Sequence, residues 1–582
     1  MPSEYPARWT PASVLLFALC ACAPRATTFD VVVRGGLVLD GSGAPGVRAD
    51  VAVAGGRVVK IGTLPDSVRA TTVIDAADLA VAPGFVDMHS HADLILLADP
   101  GTQRDLLANK LRQGVTTLVV GNCGLGVAPT DAASADSVAG INGWMTPVGV
   151  VAGPMSVGGY LDRLESNGVV VNVATLVPHG PLRVSVMGLA QGAPDPDQAE
   201  RMRAAVANAL DQGAFGLSAG LIYPPGIYSA PGELVELAEE VSSRGRLFAC
   251  HVRGSSETLI PATRELIEIG RATGARVHHS HLEAVGESFW DDVGAVLSME
   301  DAARAAGVSL SHDVFPYTRA ATMMAAIFPP WSLEGGVPAL IARLEDAAIR
   351  QRIRDDIASR SPEWPPWVPG GWPHNLVGAV GWDGIIVASV PEDGPTDLVG
   401  RDLASIAAER GLDPFDVVAD LMIAHGGRIG QQVDEVSGRG EAPDALLAIL
   451  GHPAAAVVSD AEDFGRGSPH PAHAGAFARA LRLVRDHDLM TLEEIVRRMT
   501  SFPAAVVGLP GMGAIREGAP ADLVVFDPEA TVDRATWESP RLPASGVEWV
   551  VLGGVVVVEN GVLTDAPPAG RVLRASPAGS GD

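Results

Sequence analysis

The stretch GVTTLVVGNCG, residues 114–124, is the part of the sequence that best indicates the fold. Its uninterrupted apolar and β-branched run is typical of a strand buried on both faces of a parallel sheet. The run stops at glycines around Cys123, which let the chain turn sharply. Seven similar runs are present, near residues 85–89, 171–178, 214–219, 246–251, 276–281, 308–315 and 455–460.

Helical patterns lie between these runs, for example over residues 199–210 before the fourth run and 257–273 before the sixth. Eight strands that alternate with helices predict an α/β fold, a (β/α)8 TIM-like barrel over residues 84–515. The interval between the seventh and eighth strands is too long for one helix. We therefore expect residues 325–445 to form an insertion over the mouth of the barrel.

Short strand patterns occupy both ends of the chain, over residues 29–83 and 516–575. We expect the two segments to pair into one small β-sandwich domain.

The N-terminus has a pattern of its own. Arg8 precedes an apolar stretch over residues 12–21, which is shorter than the roughly 20 residues that a membrane-spanning helix needs. The stretch ends Leu-Cys-Ala-Cys22 and resembles a bacterial lipoprotein signal. Residues 1–22 are thus predicted to be a signal peptide, and the protein to be exported as a periplasmic or membrane-anchored lipoprotein. A lipid on Cys22 would be its only membrane attachment; the alternative is a plain apolar tail.

Charge and cysteine content exclude other classes. The formal net charge is −27, and basic residues form no cluster, which argues against a nucleic-acid partner. Beyond the predicted signal only Cys123 and Cys250 remain, too few for a disulfide framework.

Candidate metal ligands follow several of the predicted strands. In such barrels the reacting groups lie at the carboxyl ends of the strands. His89 and His91 are two residues apart on an extended chain, so they point the same way and can share a metal ion. A single histidine at such a place is usually structural, but here six candidates gather: His89, His91, Cys123, His251, His281 and Asp460.

The motifs that carry these residues resemble a known family. PGFVDMHSH (83–91), GNCG (121–124), HVR (251–253), SH (280–281) and VSD (458–460) are similar to the amidohydrolase superfamily. Within it they resemble the N-acyl-D-amino-acid deacylases, or D-aminoacylases, for which GNCG is the more specific mark. The similarity runs from about residue 29 to about residue 575.

The resemblance implies a zinc site and a reaction. Cys123, His251 and His281 match the ligands of one tightly held Zn²⁺. The second, weaker site would use His89, His91 and Asp460, with Cys123 as a bridge. Asp460 would also be the general base and acid in hydrolysis of a small-molecule amide, either an N-acyl amino acid or a peptide-like substrate.

The substrate pocket departs from the family pattern. Glu283 stands where the family has a lysine that holds the substrate carboxylate, Phe315 replaces a tyrosine and Ala321 replaces a serine. Arg253 and Arg319 are candidates for the missing positive charge: if Arg319 pairs with Glu283, Arg253 can still hold a carboxylate. Otherwise Glu283 favours a neutral or cationic group.

Further residues near the predicted site are weaker candidates. Tyr223 resembles a residue that lines the family pocket. His279 is expected one layer behind the ligands, and Cys250 is expected in the core. Two other functions stay open: hydrolysis of a cyclic amide, carbamate or lactone, and a non-catalytic metal-binding lipoprotein.

Overall fold

All eight predicted runs form strands in the computed structural model, which describes residue 1 and residues 28–368 and 370–576. The strands are parallel to their neighbours and lie side by side in chain order, as in a (β/α)8 barrel. Their bounds are Phe85–Asp87, Val115–Val120, Asn172–Thr175 with Val177–Pro178, Gly216–Gly220, Leu247–His251, Arg276–His279, Leu310–Val314 and Ala455–Val457.

The ladder of hydrogen bonds around the barrel is interrupted at two places. The third strand breaks at Leu176, so that its first part pairs with the second strand and its last part with the fourth. Between the eighth and first strands contact is made just beyond the strand ends, where the backbone N–H of Asp460 donates to the carbonyl of His89 over 3.2 Å. This bond holds two candidate ligands side by side.

Helices cover the outside of the barrel. The helix at Pro196–Asp211 shows why they form: the Asp195 side chain and the Gln198 side chain cap each other's backbone N–H groups, and proline fits the first helical position. The barrel helices are Pro100–Leu106, Ala108–Arg112, Ala135–Ile141, Val157–Asn167, His179–Met187, Pro196–Asp211, Pro231–Ser243, Leu259–Thr273, Asp292–Ala305, Asp444–Gly451, Ala472–His487, Leu492–Met499 and Ser501–Val507.

The long segment between the seventh and eighth strands has a small sheet of its own. Three antiparallel strands, Ala320–Met323, Gly430–Val433 and Ile385–Ser389, lie in that order. The sheet begins at Ala320, five residues before the predicted boundary. Five helices accompany it: Gly336–Glu345, Ala347–Ser359, Leu376–Val380, Leu403–Arg410 and Pro414–Ala424.

Strands from both ends of the described chain form one nine-stranded sheet. The join is antiparallel pairing of Ala80–Pro83 with Leu523–Phe526, and side chains such as Val33, Val53 and Val525 share one buried core. The remaining strands of this sheet are Thr28–Val38, Val47–Ala54, Arg57–Gly62, Arg69–Asp75, Val547–Leu552, Val555–Glu559 and Val562–Leu563.

The predicted signal peptide, including Cys22, lies outside the described residues apart from residue 1. Among the helices that are described, none has the length and apolarity needed to cross a membrane.

Candidate metal centre

The six predicted metal ligands come together at the carboxyl ends of five barrel strands. They form three overlapping sets whose ligand atoms all lie within 4.8 Å of one another. The sets are His89, His91 and Cys123; Cys123, His251 and His281; and His89, His281 and Asp460.

Cys123 lies at the centre of the cluster. Its Sγ is 3.2 Å from Nε2 of His89 and 3.5 Å from Nε2 of His281. Because the thiol belongs to two of the three sets, one sulfur atom can contact two metal ions.

Asp460 closes the cluster on the other side. Its Oδ1 lies 3.4 Å from Nε2 of His89 and 3.3 Å from Nε2 of His91. Burial raises the pKa of this carboxyl group, but the charges of His89, His281 and His91 and the hydrogen bond to His91 hold it below its ordinary value. Asp460 is therefore ionised and can accept a proton.

Three of the six residues have left-handed backbone conformations. The φ angles of Cys123, His281 and Asp460 are 51°, 36° and 46°. Such angles are uncommon outside glycine and cluster at functional sites. At each position the chain turns as a strand ends, and the turn aims the side chain at its neighbours.

The electrostatics of the cluster favour a bound cation. Burial raises the pKa of the Cys123 thiol, but the charges of His89 and His281 hold it well below its usual value, so the sulfur is a thiolate. Burial lowers the pKa of His91 and His281, yet Cys123 and Asp460 raise these values to about 10 and about 9. The same two anions would attract a metal ion, whose binding releases those protons.

The donor set fits zinc. Imidazole nitrogen, thiolate sulfur and carboxylate oxygen are the ligands that Zn²⁺ takes in proteins. In the described part of the chain, the ring nitrogens of the buried His251 have no hydrogen-bonding partner outside the cluster, as expected for a side chain that serves as a ligand. Burial and the neighbouring His281 lower the pKa of His251 to about 4, so the ring is neutral and can coordinate.

Asp313, on the seventh strand, orients the ligands, although no motif had singled it out. Its carboxylate lies 3.2 Å from Nδ1 of His89 and 2.8 Å from Nε2 of His278, and it also accepts the backbone N–H of His281. Burial raises the pKa of Asp313, but the charges of His89 and His278 hold it well below its usual value. An ionised Asp313 thus leaves Nε2 of His89 free to face the cluster.

The expectation for His279 is wrong. Its Nδ1 bonds to Glu300, on the outer helix Asp292–Ala305, over 2.9 Å, while His278 is the residue linked to the cluster. Strict alternation placed His279 on the same side as His281. The left-handed turn at His281 breaks that alternation after the strand ends at His279.

A buried ion-pair network holds residues that are close to Asp460 in the sequence. Nζ of Lys110 lies 2.8 Å from Asp87 and 3.3 Å from Glu462, and it also contacts the hydroxyl of Ser459. Ser459 in turn donates to Asp87 over 2.6 Å. The network fixes the residues on either side of Asp460.

Two cavities adjoin the cluster and share His91, Trp144, Ala321 and Asp460. The first, the Glu283 cavity, is otherwise lined by Cys123, Leu125, Ile222, Tyr223, His251, Ser255, His281, Glu283, Val285, Ala320, Thr322, His374, Leu376 and Val433. The second, the Gln431 cavity, is otherwise lined by Ala388, Ser389, Gly430, Gln431, Gln432, Ala461, Glu462, Phe464, Arg466, Ser468, Pro469 and His470. The Glu283 cavity has a volume of about 40 Å³ and the Gln431 cavity one of about 50 Å³, so each can hold a small group of a substrate bound at the cluster.

Three of the predicted substrate-binding residues line the Glu283 cavity: Tyr223, Glu283 and Ala321. The hydroxyl of Tyr223 lies 2.8 Å from that of Thr322, and its ring centre is 5.2 Å from that of His251. Burial raises the pKa of Glu283 above its ordinary value, and the neighbouring His281 opposes this shift only in part.

The other three predicted residues do not line it. Arg253 is buried and held by Glu265 at 2.7 Å, because its guanidinium lies on the helix side of the chain. Arg319 pairs with Asp434 at 2.8 Å and not with Glu283. Phe315 packs behind the cluster, its ring centre 6.5 Å from that of His281.

Sequence reasoning missed three residues that face the cavities. His374 and Gln431 come from the insertion, and Trp144 from the loop after the second strand. Within the described chain, Nδ1 of His374, both amide atoms of Gln431 and the indole nitrogen of Trp144 have no hydrogen-bonding partner. Only their position in the fold distinguishes them from other residues of the same types.

Cys250 is buried and lines neither cavity, as expected for a core residue. Burial raises the pKa of its thiol well above the usual value. Cys250 and Cys123 thus have opposite electrostatic environments.

A parallel barrel with histidine, cysteine and aspartate side chains gathered at its strand ends defines a metal-dependent hydrolase. Comparison with known proteins specifies the class. The model of the amidohydrolase family, Amidohydro_3, matches residues 72–558, and the chain belongs to this family.

Individual relatives agree with this assignment. The chain is 34% identical over 553 residues to N-acyl-D-glutamate deacylase of Alcaligenes xylosoxydans xylosoxydans, covering 94% of this chain and 96% of the relative. It is 34% identical over 546 residues to D-aminoacylase of the same organism, covering 94% and 97%. The crystal structure of N-acyl-D-glutamate deacylase from Bordetella bronchiseptica, with zinc and a phosphonate inhibitor, is 32% identical, covers 94% and 100%, and has a TM-score of 0.75. The predicted family and fold class are confirmed, and the chain is a metal-dependent amidohydrolase.

Proposed function

We propose that this protein is an exported, zinc-dependent hydrolase that cleaves the amide bond of N-acyl amino acids or peptide-like small molecules. The observation that carries the proposal is the cluster itself, three sets of ligand atoms within 4.8 Å at the strand ends. The relatives named as deacylases support the same reaction class, because the similarity covers nearly their whole length.

Each part of the cluster has a role in this reaction. Cys123, His251 and His281 would hold the tight zinc, and His89, His91 and Asp460 a second, weaker one. Zinc bound there supplies a Lewis acid that polarises the scissile carbonyl and lowers the pKa of water. Asp460 lies beside these ligands, ionised, where it can take a proton from the attacking water and pass it to the leaving amide nitrogen. The C–N bond then breaks, giving a carboxylic acid and an amine.

Removal of the metal tests the proposal. Chelation is expected to abolish release of acyl acid from a panel of N-acyl-D- and N-acyl-L-amino acids, their amides and dipeptides, and added zinc is expected to restore it. Zinc-loaded wild type that binds members of the panel but hydrolyses none would instead identify a non-catalytic binding protein.

Substitution of Asp460 tests the proton transfer. Asp460→Asn is expected to keep the tight zinc, because its three ligands are intact, and to lose about 10²-fold or more in kcat. Asp463→Asn is the matched control, since Asp463 pairs with Arg541 and lines neither cavity. Equal kcat values for the two variants would show that Asp460 does not transfer the proton.

Export and lipid attachment are part of the same proposal and rest on the sequence of residues 1–22. In a bacterial host the full-length protein is expected in the membrane fraction, and Cys22→Ala is expected to release it. Cys20→Ala serves as the matched control. A protein that stays in the cytosol in all three forms would contradict the assignment.

A further inference from the structure

The Glu283 cavity has an unusual set of lining residues for a site that would hold a carboxylate. Neither lysine nor arginine is among its lining residues, whereas Glu283 contributes a carboxylate beside the ligand His281. The Nδ1 atom of His281 lies 3.8 Å from Oε1 of Glu283. The carboxylate is therefore part of the wall next to the reacting centre.

Of the two Glu283 carboxylate oxygens, one has a hydrogen-bonding partner and the other has none in the described chain. Oε1 accepts a hydrogen bond from the hydroxyl of Ser255 over 3.1 Å. Oε2 is buried and has no partner among the described residues. The whole residue is 7% exposed, so an unpaired oxygen here calls for a donor from a bound molecule.

The two arginines close enough in sequence to supply positive charge are engaged elsewhere. Arg319 pairs with Asp434 and lies over the ring of Trp537 at 4.3 Å. Arg253 pairs with Glu265 and lies over the ring of Trp367 at 4.9 Å. Neither guanidinium lines the cavity, so neither neutralises Glu283 nor offers a carboxylate site there.

A second acceptor lies in the same cavity. His374 is 3% exposed, and its Nδ1 has no partner in the described chain. In the neutral tautomer that carries its proton on Nε2, the free Nδ1 of His374 can accept a hydrogen bond. An ammonium group carries three N–H donors and no acceptor, which suits two free acceptors.

We propose that the Glu283 cavity binds an amino group, so that the substrates of this enzyme carry a cationic amine close to the scissile amide. This inference rests on the proposed amide hydrolysis and specifies its substrate class. Glu283 Oε2 and His374 Nδ1 accept from the amine, and the apolar side chains of Ile222, Leu376 and Val433 surround its carbon atoms.

Three amides that differ in one substituent test the proposal on the zinc-loaded, full-length enzyme. They are N-acetyl-leucine, its carboxamide, and the analogue in which an aminomethyl group replaces the carboxylate, each as both enantiomers. Release of acetate is a readout common to all three. Wild type is expected to have the highest kcat/KM on the aminomethyl compound and the lowest on the carboxylate.

Glu283 variants link that preference to the cavity. Loss of one partner of a desolvated charge pair costs on the order of 30-fold or more in binding. Glu283→Gln is expected to lose about that factor on the aminomethyl compound and little on the carboxamide. Glu283→Lys is expected to reverse the preference toward N-acetyl-leucine. Glu287→Gln, on an exposed side chain paired with Arg439, is the matched control.

Several outcomes would overturn the assignment. One is a wild type that prefers the carboxylate, with Arg466→Gln abolishing that preference, because Arg466 lines the Gln431 cavity and its Nε has no partner in the described chain. Another is a Glu283→Gln variant that loses the same factor on all three compounds at full zinc content. If zinc-loaded wild type hydrolyses none of the three compounds and no amide in the larger panel, the result would instead count against the proposed function.

Discussion

The Nδ1 atom of His89 lies 3.2 Å from the Asp313 carboxylate, and its Nε2 atom lies 3.2 Å from Sγ of Cys123. Since a buried, ionised carboxylate can only accept, Nδ1 keeps its proton, and the proton that metal binding releases comes from Nε2, whose lone pair then faces the metal. Asp313 thereby selects the tautomer in which His89 can coordinate a metal.

Asp313→Asn is expected to weaken binding of the second zinc, the one that His89 would hold, by about 10- to 100-fold, because an amide neither enforces this tautomer nor increases ligand basicity. Competition with a chromogenic chelator measures the affinity. Asp301→Asn is the control, since Asp301 lies on the surface and pairs with Arg304. Unchanged affinity in the Asp313 variant would show that His89 needs no such partner.

The two buried cysteines are expected to respond differently to the same change. Cys123→Ser removes the thiolate shared by two ligand sets and is expected to reduce bound zinc below one equivalent per chain. Cys250→Ser is expected to keep its zinc and to lose about 1–3 kcal/mol of unfolding free energy, because it buries a hydroxyl group. Metal analysis and urea unfolding of both variants distinguish the two roles; full zinc in Cys123→Ser would make Cys123 a core residue.

Lys110 is expected to be essential for stability. Lys110→Met leaves the carboxylates of Asp87 and Glu462 buried without their cation, at a cost of about 3–5 kcal/mol in unfolding free energy. Lys60→Met removes an exposed pair with Glu517 and is expected to cost less than about 1 kcal/mol. Urea denaturation compares the two, and similar small losses would mean that water reaches the Lys110 network.

His473 is expected to make stability depend on pH. Burial, opposed in part by Asp463, lowers the pKa of His473 to about 4, and its Nε2 lies 3.1 Å from the carbonyl of Pro540. The unfolded chain binds this proton near pH 6.5 and the folded chain only near pH 4. Stability from the neutral ring is therefore complete above pH 6.5 and lost as pH falls toward 4.

The contribution of His473 between pH 7 and pH 5 is about 2 kcal/mol from linkage. His473→Gln is expected to show a pH dependence of unfolding free energy that is smaller by this amount. The control is His487→Gln, at the end of the helix Ala472–His487. Parallel pH profiles for wild type and His473→Gln would rule out this residue as the source.

Much of the site could be predicted from local sequence. The strand runs, the spacing of His89 and His91, and the motifs around Cys123, His251, His281 and Asp460 placed all six candidates at strand ends, because the ends of parallel strands meet at one face of a barrel. The pocket positions Glu283, Ala321 and Tyr223 followed from the resemblance.

Other features required the tertiary structure. Asp313 and His374 belong to no motif, and each contacts the site from a different part of the chain. The arginines were misplaced because sequence proximity to a ligand does not tell which face of the chain a side chain occupies. His279 was misplaced because alternation holds only while the backbone stays extended, and it ends at the left-handed His281.

The sequence by itself thus determined the barrel, the family and the set of candidate metal ligands, since each depends on local periodicity and short motifs. The tertiary structure decided which polar groups meet at the cluster and which charges are already paired. Those contacts join residues far apart in the sequence, as when Arg319 pairs with Asp434, 115 positions away, and not with Glu283, which lines the cavity. Local sequence does not encode the pairing of charges in space, because that pairing depends on which segments the fold brings together.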